Sequence, residues 1–216
     1  MNDNNQKGFT MAELLVAMTL SLTLLGAVYA VYRVQGHTIK GQEYRMEAQE
    51  YARVSLDMMV REIRNLGYFP TRTACAAPAN TKGLVSATGT SISFAYDADG
   101  NGDCAGAGEN VVYSYDSTAK DITRTANGGA AQTLTNGNVT DFQITYYPRQ
   151  TGAAAPPPFC NTTGNPSGCS GGNVSANLGN VQRVSVSLTV KLLKTDPNFG
   201  AQQAITMNSN ADLRNR

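Results

Sequence analysis

Hydrophobic positions change their spacing along the chain. From Leu14 to Tyr32 no residue carries a charge, and at ~1.5 Å per helical residue this run spans about 28 Å, one hydrocarbon core. A membrane-inserted helix is predicted. Beyond it Tyr44, Ala48, Tyr51, Ser55, Met59, Ile63 and Leu66 recur every three or four positions, with Arg45, Glu47, Glu50, Arg53, Asp57, Arg61 and Arg64 mostly between them. That is the pattern of an amphipathic helix. Gly67 followed by Pro70 reads as a stop. One helix over 9–67 is therefore predicted, about 88 Å long, apolar over 9–32 and amphipathic over 33–67. Gly26, Gly36 and Gly41 are its weak points, each ~1 kcal/mol less favourable than alanine.

After residue 80 the period becomes two. Ile92, Phe94 and Tyr96 alternate with polar residues, as do Val111, Tyr113 and Tyr115, then Phe142, Ile144 and Tyr146, then Val184, Val186, Leu188, Val190 and Leu192. These read as half-buried antiparallel strands with a Ser, Thr and Gln face toward water. Residues 148–180, rich in Pro, Gly, Ala, Asn and Ser and containing Pro156-Pro157-Pro158, read as a long surface loop. The fold class is α+β, with a long N-terminal helix packed on an antiparallel head, curled as one meander over 68–216.

Length and charge narrow the function. Of 216 residues, about 150 remain beyond the helix, enough for one core. The net charge of +1 makes no case for nucleic acid. The four cysteines, Cys75, Cys104, Cys160 and Cys169, suit disulfides in an oxidising compartment. Of the pairings that four cysteines permit, proximity favours Cys160–Cys169, which leaves Cys75–Cys104. No C-x-x-C spacing exists and His37 is the sole histidine, which argues against zinc. A serine or cysteine triad would have to use His37, just past the membrane and far from any pocket. Tyr29, Tyr32, Tyr44 and Tyr51 suit interface anchoring and subunit packing better than electron conduction.

One carboxylate, Glu13, stands at the edge of the apolar run, where an ionised group is costly and asks for a cation. No cation lies within the span. The surrounding Lys7-Gly8-Phe9-Thr10-Met11-Ala12-Glu13-Leu14 resembles the prepilin N-terminus of type IV pilins and of type II secretion pseudopilins. The resemblance implies a leader of residues 1–8, cleavage by a membrane prepilin peptidase between Gly8 and Phe9, and N-methylation of Phe9. It also implies that Glu13 pairs with the N-terminal amine of an adjacent subunit, which supplies the missing cation. An ordinary signal peptide fits less well, since the segment exceeds an h-region of ~7–15 residues and no Ala-x-Ala site follows Tyr32. Charge bias alone, with Lys7 before the span and Arg33, Lys40 and Arg45 after it, would put the N-terminus outside. The family pattern puts it in the cytoplasm, with the head in the periplasm.

The segments Arg61-Glu62-Ile63-Arg64-Asn65-Leu66-Gly67-Tyr68 and Val139-Thr140-Asp141-Phe142-Gln143-Ile144-Thr145-Tyr146, with the tail Leu213-Arg214-Asn215-Arg216, resemble PilW-like minor pilins. They also resemble the J-type pseudopilin. The resemblance implies a non-enzymatic filament subunit whose partners are other pilins and minor pilins, the prepilin peptidase, the inner-membrane pilus assembly platform and membrane lipid. Its expected course runs from the inner membrane to an extracellular pilus.

Asp97, Asp99, Asn101 and Asp103, with Gly100 at the turn, resemble the first half of an EF-hand calcium loop. The second half departs from it: Gly108 stands at the twelfth position, Glu109 comes one residue late, and the flanks read as strands. A calcium ion held by Asp97, Asp99, Asn101, Asp103 and Glu109 would offset the repulsion of clustered carboxylates. The alternative is a solvated turn between two strands. A calcium-dependent surface-binding module carried on a pilus is the rival reading of the whole head. Asp97-x-Asp99 has no nucleotide-binding βαβ unit or phosphate loop beside it, which argues against a glycosyltransferase.

Overall fold

The computed structural model describes residues 8–70, 83–152, 154–161, 165–192, 194 and 203–214. Helix α1 runs unbroken over Met11–Arg64, about 81 Å at the standard rise. Thr10 is its N-cap in extended geometry, and Thr10 and Glu13 form a reciprocal capping box, which satisfies donors that a helix start leaves orphaned. Arg61 and Arg64 in the last turn complement the negative end of the helix dipole. The chain then turns through Gly67, whose φ of 74° lies in the left-handed region that favours glycine. The last helical residue thus lies three positions before the stop expected at Gly67.

The head contains two antiparallel sheets, where the sequence suggested a single meander. The first, in sequential order, comprises β1 (Leu84–Ala87), β2 (Ser91–Ala95), β3 (Asn110–Asp116), β4 (Asp121–Ala126) and β5 (Gln132–Thr133). The second comprises β6 (Val139–Pro148), β7 (Val181–Lys191) and β8 (Ala204–Asp212). Strands with strong period-two alternation, β2, β3, β6 and β7, coincide with the predicted ones. The short β1 and β5, β4 with Ile122 as its one buried residue, and β8 with a largely polar sequence gave too little alternation to read.

The sheets meet at the β1–β2 turn. Gly89 O accepts from Ile144 N at 2.7 Å, and the Tyr146 hydroxyl donates to Thr88 O at 3.0 Å. One core results, with α1 supplying Ala48, Ala52, Leu56, Met59, Val60 and Ile63, and the sheets supplying Phe94, Val111, Tyr113, Ile144, Tyr146, Val186 and Leu188. Small residues at 48, 52 and 55 let the backbone of α1 approach the sheet. Tyr51, predicted on the buried stripe, is 47% exposed; the stripe instead passes through Ala52, and the bulkier ring lies on its flank.

The segment 148–180 is not wholly superficial. Phe159 and Val174 are buried in the core, and short 3-10 turns at Val174–Ala176 and Leu178–Asn180 lead into β7. Cys160 and Cys169 form a disulfide with Cα atoms 5.1 Å apart, the pairing expected from proximity. Cys104 is also disulfide-bonded; its expected partner, Cys75, lies outside the described residues.

Candidate functional site

The first functional feature is an absence of cover. Along the apolar half of α1, Leu14, Leu15, Val16, Met18, Leu20, Leu22, Leu24 and Leu25 are each more than half exposed, as are Val28, Tyr29, Val31 and Tyr32. None of the most hydropathic window is buried against the head. A soluble monomer rarely leaves so large a contiguous apolar surface bare. Hydroxyls within the run are turned onto the helix itself, Thr19 to Val16 O at 2.9 Å, Ser21 to Ala17 O at 2.7 Å and Thr23 to Leu20 O at 2.8 Å. These three side-chain donors are therefore satisfied within the helix, as an apolar surrounding requires.

Gly8 and Phe9 precede the helix in open backbone, and Phe9 is 91% exposed. The junction is accessible. Glu13 Oε2 accepts from Thr10 N at 2.9 Å and from Thr10 Oγ1 at 3.0 Å. Its carboxylate is thus occupied within the subunit by donors one residue away from Phe9, where the expectation from sequence was only a cation on a neighbour. Lys7 lies outside the described residues.

The second feature is the loop between β2 and β3. Its base is fixed by Tyr96 N donating to Glu109 O and by Asp97 N donating to Tyr68 O just past α1. Asp97 and Glu109 are buried, at 1% and 0% exposure, and with exposed Asp99 they bring carboxylate oxygens within 4.8 Å of one another. Glu109, one residue late by the EF-hand count, reaches the cluster because strands and not helices flank the loop. Backbone amides surround both buried groups: Gly100 N and Gly102 N donate to Asp97, and Ala98 N and Gly106 N to Glu109. Asp103 does not join the cluster. It accepts from Ala105 N, and Asn101 Oδ1 accepts from Asp103 N, so both serve local turns.

A third feature escaped the sequence reading. Glu62 on α1 accepts from Arg124 Nε at 3.0 Å and pairs with Arg124 Nη2 at 3.0 Å, and the Tyr113 hydroxyl donates to it at 2.6 Å. The pair is mostly enclosed, with side-chain exposures of 12% for Arg124 and 17% for Glu62. Burial and the neighbouring Glu62 charge push the Tyr113 phenol far above its ordinary value. A legible signal existed: Glu62 adjoins the buried stripe and Arg124 shares a strand face with Ile122, so two opposite charges stood at core-facing positions.

A long capped helix with a bare apolar half, carrying a two-sheet head at its far end, defines a pilin-like protein. The prokaryotic N-terminal methylation motif matches residues 3–29, over the junction and the span. The family described as prepilin peptidase-dependent protein B matches residues 42–209, and the chain belongs to that family. No curated protein and no solved structure matches the chain. Family membership implies processing by a prepilin peptidase, and the apolar helix fits membrane anchoring.

Proposed function

We propose that the chain is a PilW-like minor pilin, a non-enzymatic subunit held in the inner membrane with its head in the periplasm. It is cut between Gly8 and Phe9, methylated on the Phe9 amine, and passed by the assembly platform into a type IV pilus beside other pilins. The observation that carries this reading is the bare helix from Leu14 to Tyr32 beside a head whose core is closed. Lipid and a bundle of like helices are equally apolar, so transfer between them keeps the hydrophobic contact and adds packing. The Glu13 carboxylate, held by Thr10 before assembly, then gains the Phe9 amine of a neighbour.

The test is Glu13→Ala in cells that make the filament. The variant should insert in the membrane and lose its leader, yet be missing from sheared filaments. Normal incorporation, or a mature chain that still begins at Met1, refutes the reading. The same geometry would serve a minor pseudopilin of type II secretion, and a secretion defect with intact pili on deletion would favour that machine.

The convergence of Asp97, Asp99 and Glu109 favours a second role, calcium binding. Calcium takes about 6–8 oxygens, and these carboxylates keep lone pairs beyond those given to backbone amides, leaving carbonyls and water to complete the shell. The ion would neutralise the clustered charge and stiffen the loop against Tyr68 and α1. Calorimetry with calcium chloride on the full chain in detergent should show binding that Asp99→Asn abolishes. Heat-free titration, with melting unchanged by chelator, removes this role.

A further inference from the structure

Among the described residues the outer edge of β8 is open, where the other edges of the head are closed or cut short. In the first sheet β5 is two residues long, and β1 is four with a register shift against β2. In the second sheet β6 is covered: Ile144 N donates to Gly89 O, Phe159 N to Tyr146 O, and the Asn161 amide to Ile144 O. Strand β8 has nine residues, Ala-Ile-Thr-Met-Asn-Ser-Asn-Ala-Asp, paired with β7 without a register shift. It carries no lysine, no proline and no bulge, the usual devices that blunt an edge.

Register tells which of its amides are free. Leu213 N donates to Gln182 O and Leu192 N to Gln203 O. In an antiparallel ladder these bonds recur at every second residue, so 205, 207, 209 and 211 bond to β7 while 204, 206, 208, 210 and 212 point outward. Among the described residues only one bond meets that outer row, from Arg64 Nη2 to Asn210 O at 3.3 Å. Beside the edge runs a groove in which Met46, Glu50, Arg53 and Val54 of α1 face Ile205 and Met207. Met46 and Val54 are 62% and 61% exposed. Between the bare run of α1 and this groove, Val34 and Ile39 are also exposed, at 65% and 64%.

We infer that this edge and groove receive an extended strand from a different pilin-like chain in the same filament, which adds to the second sheet and covers Met46 and Val54. The proposal rests on the filament reading. Direction excludes self-pairing: Ile205–Met207 lie against Met46–Val54, and Asn210 lies against Arg64, so β8 runs the same way as α1. Two copies anchored in one bilayer therefore hold their β8 strands parallel, whereas two-fold pairing of identical edges requires them antiparallel. Nor do the described residues offer another long free edge for a second copy to present. The incoming strand runs antiparallel to β8, toward the membrane, with apolar residues at alternate positions facing α1.

The experiment is hydrogen exchange by mass spectrometry on the full chain, in detergent and in purified filaments. The amides of Thr206 and Asn208 should exchange about a hundredfold more slowly in filaments. Asn208→Pro removes an outward donor without touching the β7 ladder, and should leave a folded, disulfide-bonded chain depleted from filaments. Should that variant misfold, Val54→Lys in the groove replaces it, with the same depletion expected. Incorporation of wild type with unchanged exchange at 206 and 208 overturns this inference alone. Absence of wild type from filaments overturns the assembly reading and this one with it. Cross-linking from position 208 to β8 of a second copy, or to a protein unlike pilins, also overturns it.

Discussion

Replacing Glu62 by glutamine keeps the shape of the side chain and removes its charge, leaving the Arg124 guanidinium without a counter-ion. Removing one partner of a fully buried pair costs about 3–5 kcal/mol, while exposed pairs give about 0–1 kcal/mol. At side-chain exposures of 12% and 17% the expected loss is about 2 kcal/mol. Tyr113→Phe deletes a hydrogen bond to a charged acceptor and should cost about 1.5 kcal/mol. Because the same carboxylate serves both partners, the double variant should lose about 2.5 kcal/mol, roughly 1 kcal/mol short of additivity. Urea titration of the full chain in detergent measures this. The chain has no tryptophan and ten tyrosines, so near-UV circular dichroism is the probe. At about 2–4 °C per kcal/mol, Glu62→Gln should lower the melting midpoint by about 4–8 °C. Strict additivity of the two variants, or a loss below about 0.5 kcal/mol for Glu62→Gln, would show that the cluster does not clamp α1 to the first sheet.

Alkaline pH should unfold the head through its tyrosines. Burial raises the phenols of Tyr113 and Tyr146 above their ordinary value, so the unfolded chain releases these protons first, near pH ~10. Their contribution is intact below that pH and lost as pH rises beyond it, by up to about 1.4 kcal/mol per pH unit for each phenol; a stability profile flat to high alkali would contradict this. Breaking the Cys160–Cys169 disulfide, with its sequence separation of 9, by a double serine variant should cost about 2–3 kcal/mol from loop entropy, and an unchanged urea midpoint would count against the loop's role in the fold. Gly83 has a φ of 97°, and a Cβ there would lie 2.6 Å from Gly67 N and 2.8 Å from Ala95 O. Gly83→Ala should therefore destabilise by about 3 kcal/mol, whereas Gly26→Ala, with nothing within 4 Å of its Cβ, should leave the head's melting unchanged.

The prepilin junction, the membrane-length run, the long helix and the strongest strands were legible in the sequence because each rests on local chemistry. The junction motif spans eight consecutive residues, Lys7 to Leu14, a hydrophobic span is a matter of length, and alternation in β7 is read from neighbouring positions alone. The Cys160–Cys169 pairing was legible for the same reason. Tertiary structure decided what depended on distant segments. It split the head into two sheets by seating the β1–β2 turn on β6, placed Glu62 against Arg124 and Tyr113, and brought Glu109 to Asp97 and Asp99. It also left the β8 edge bare among the described residues. No periodicity encodes these, because each depends on which segments close over one another once the core has collapsed.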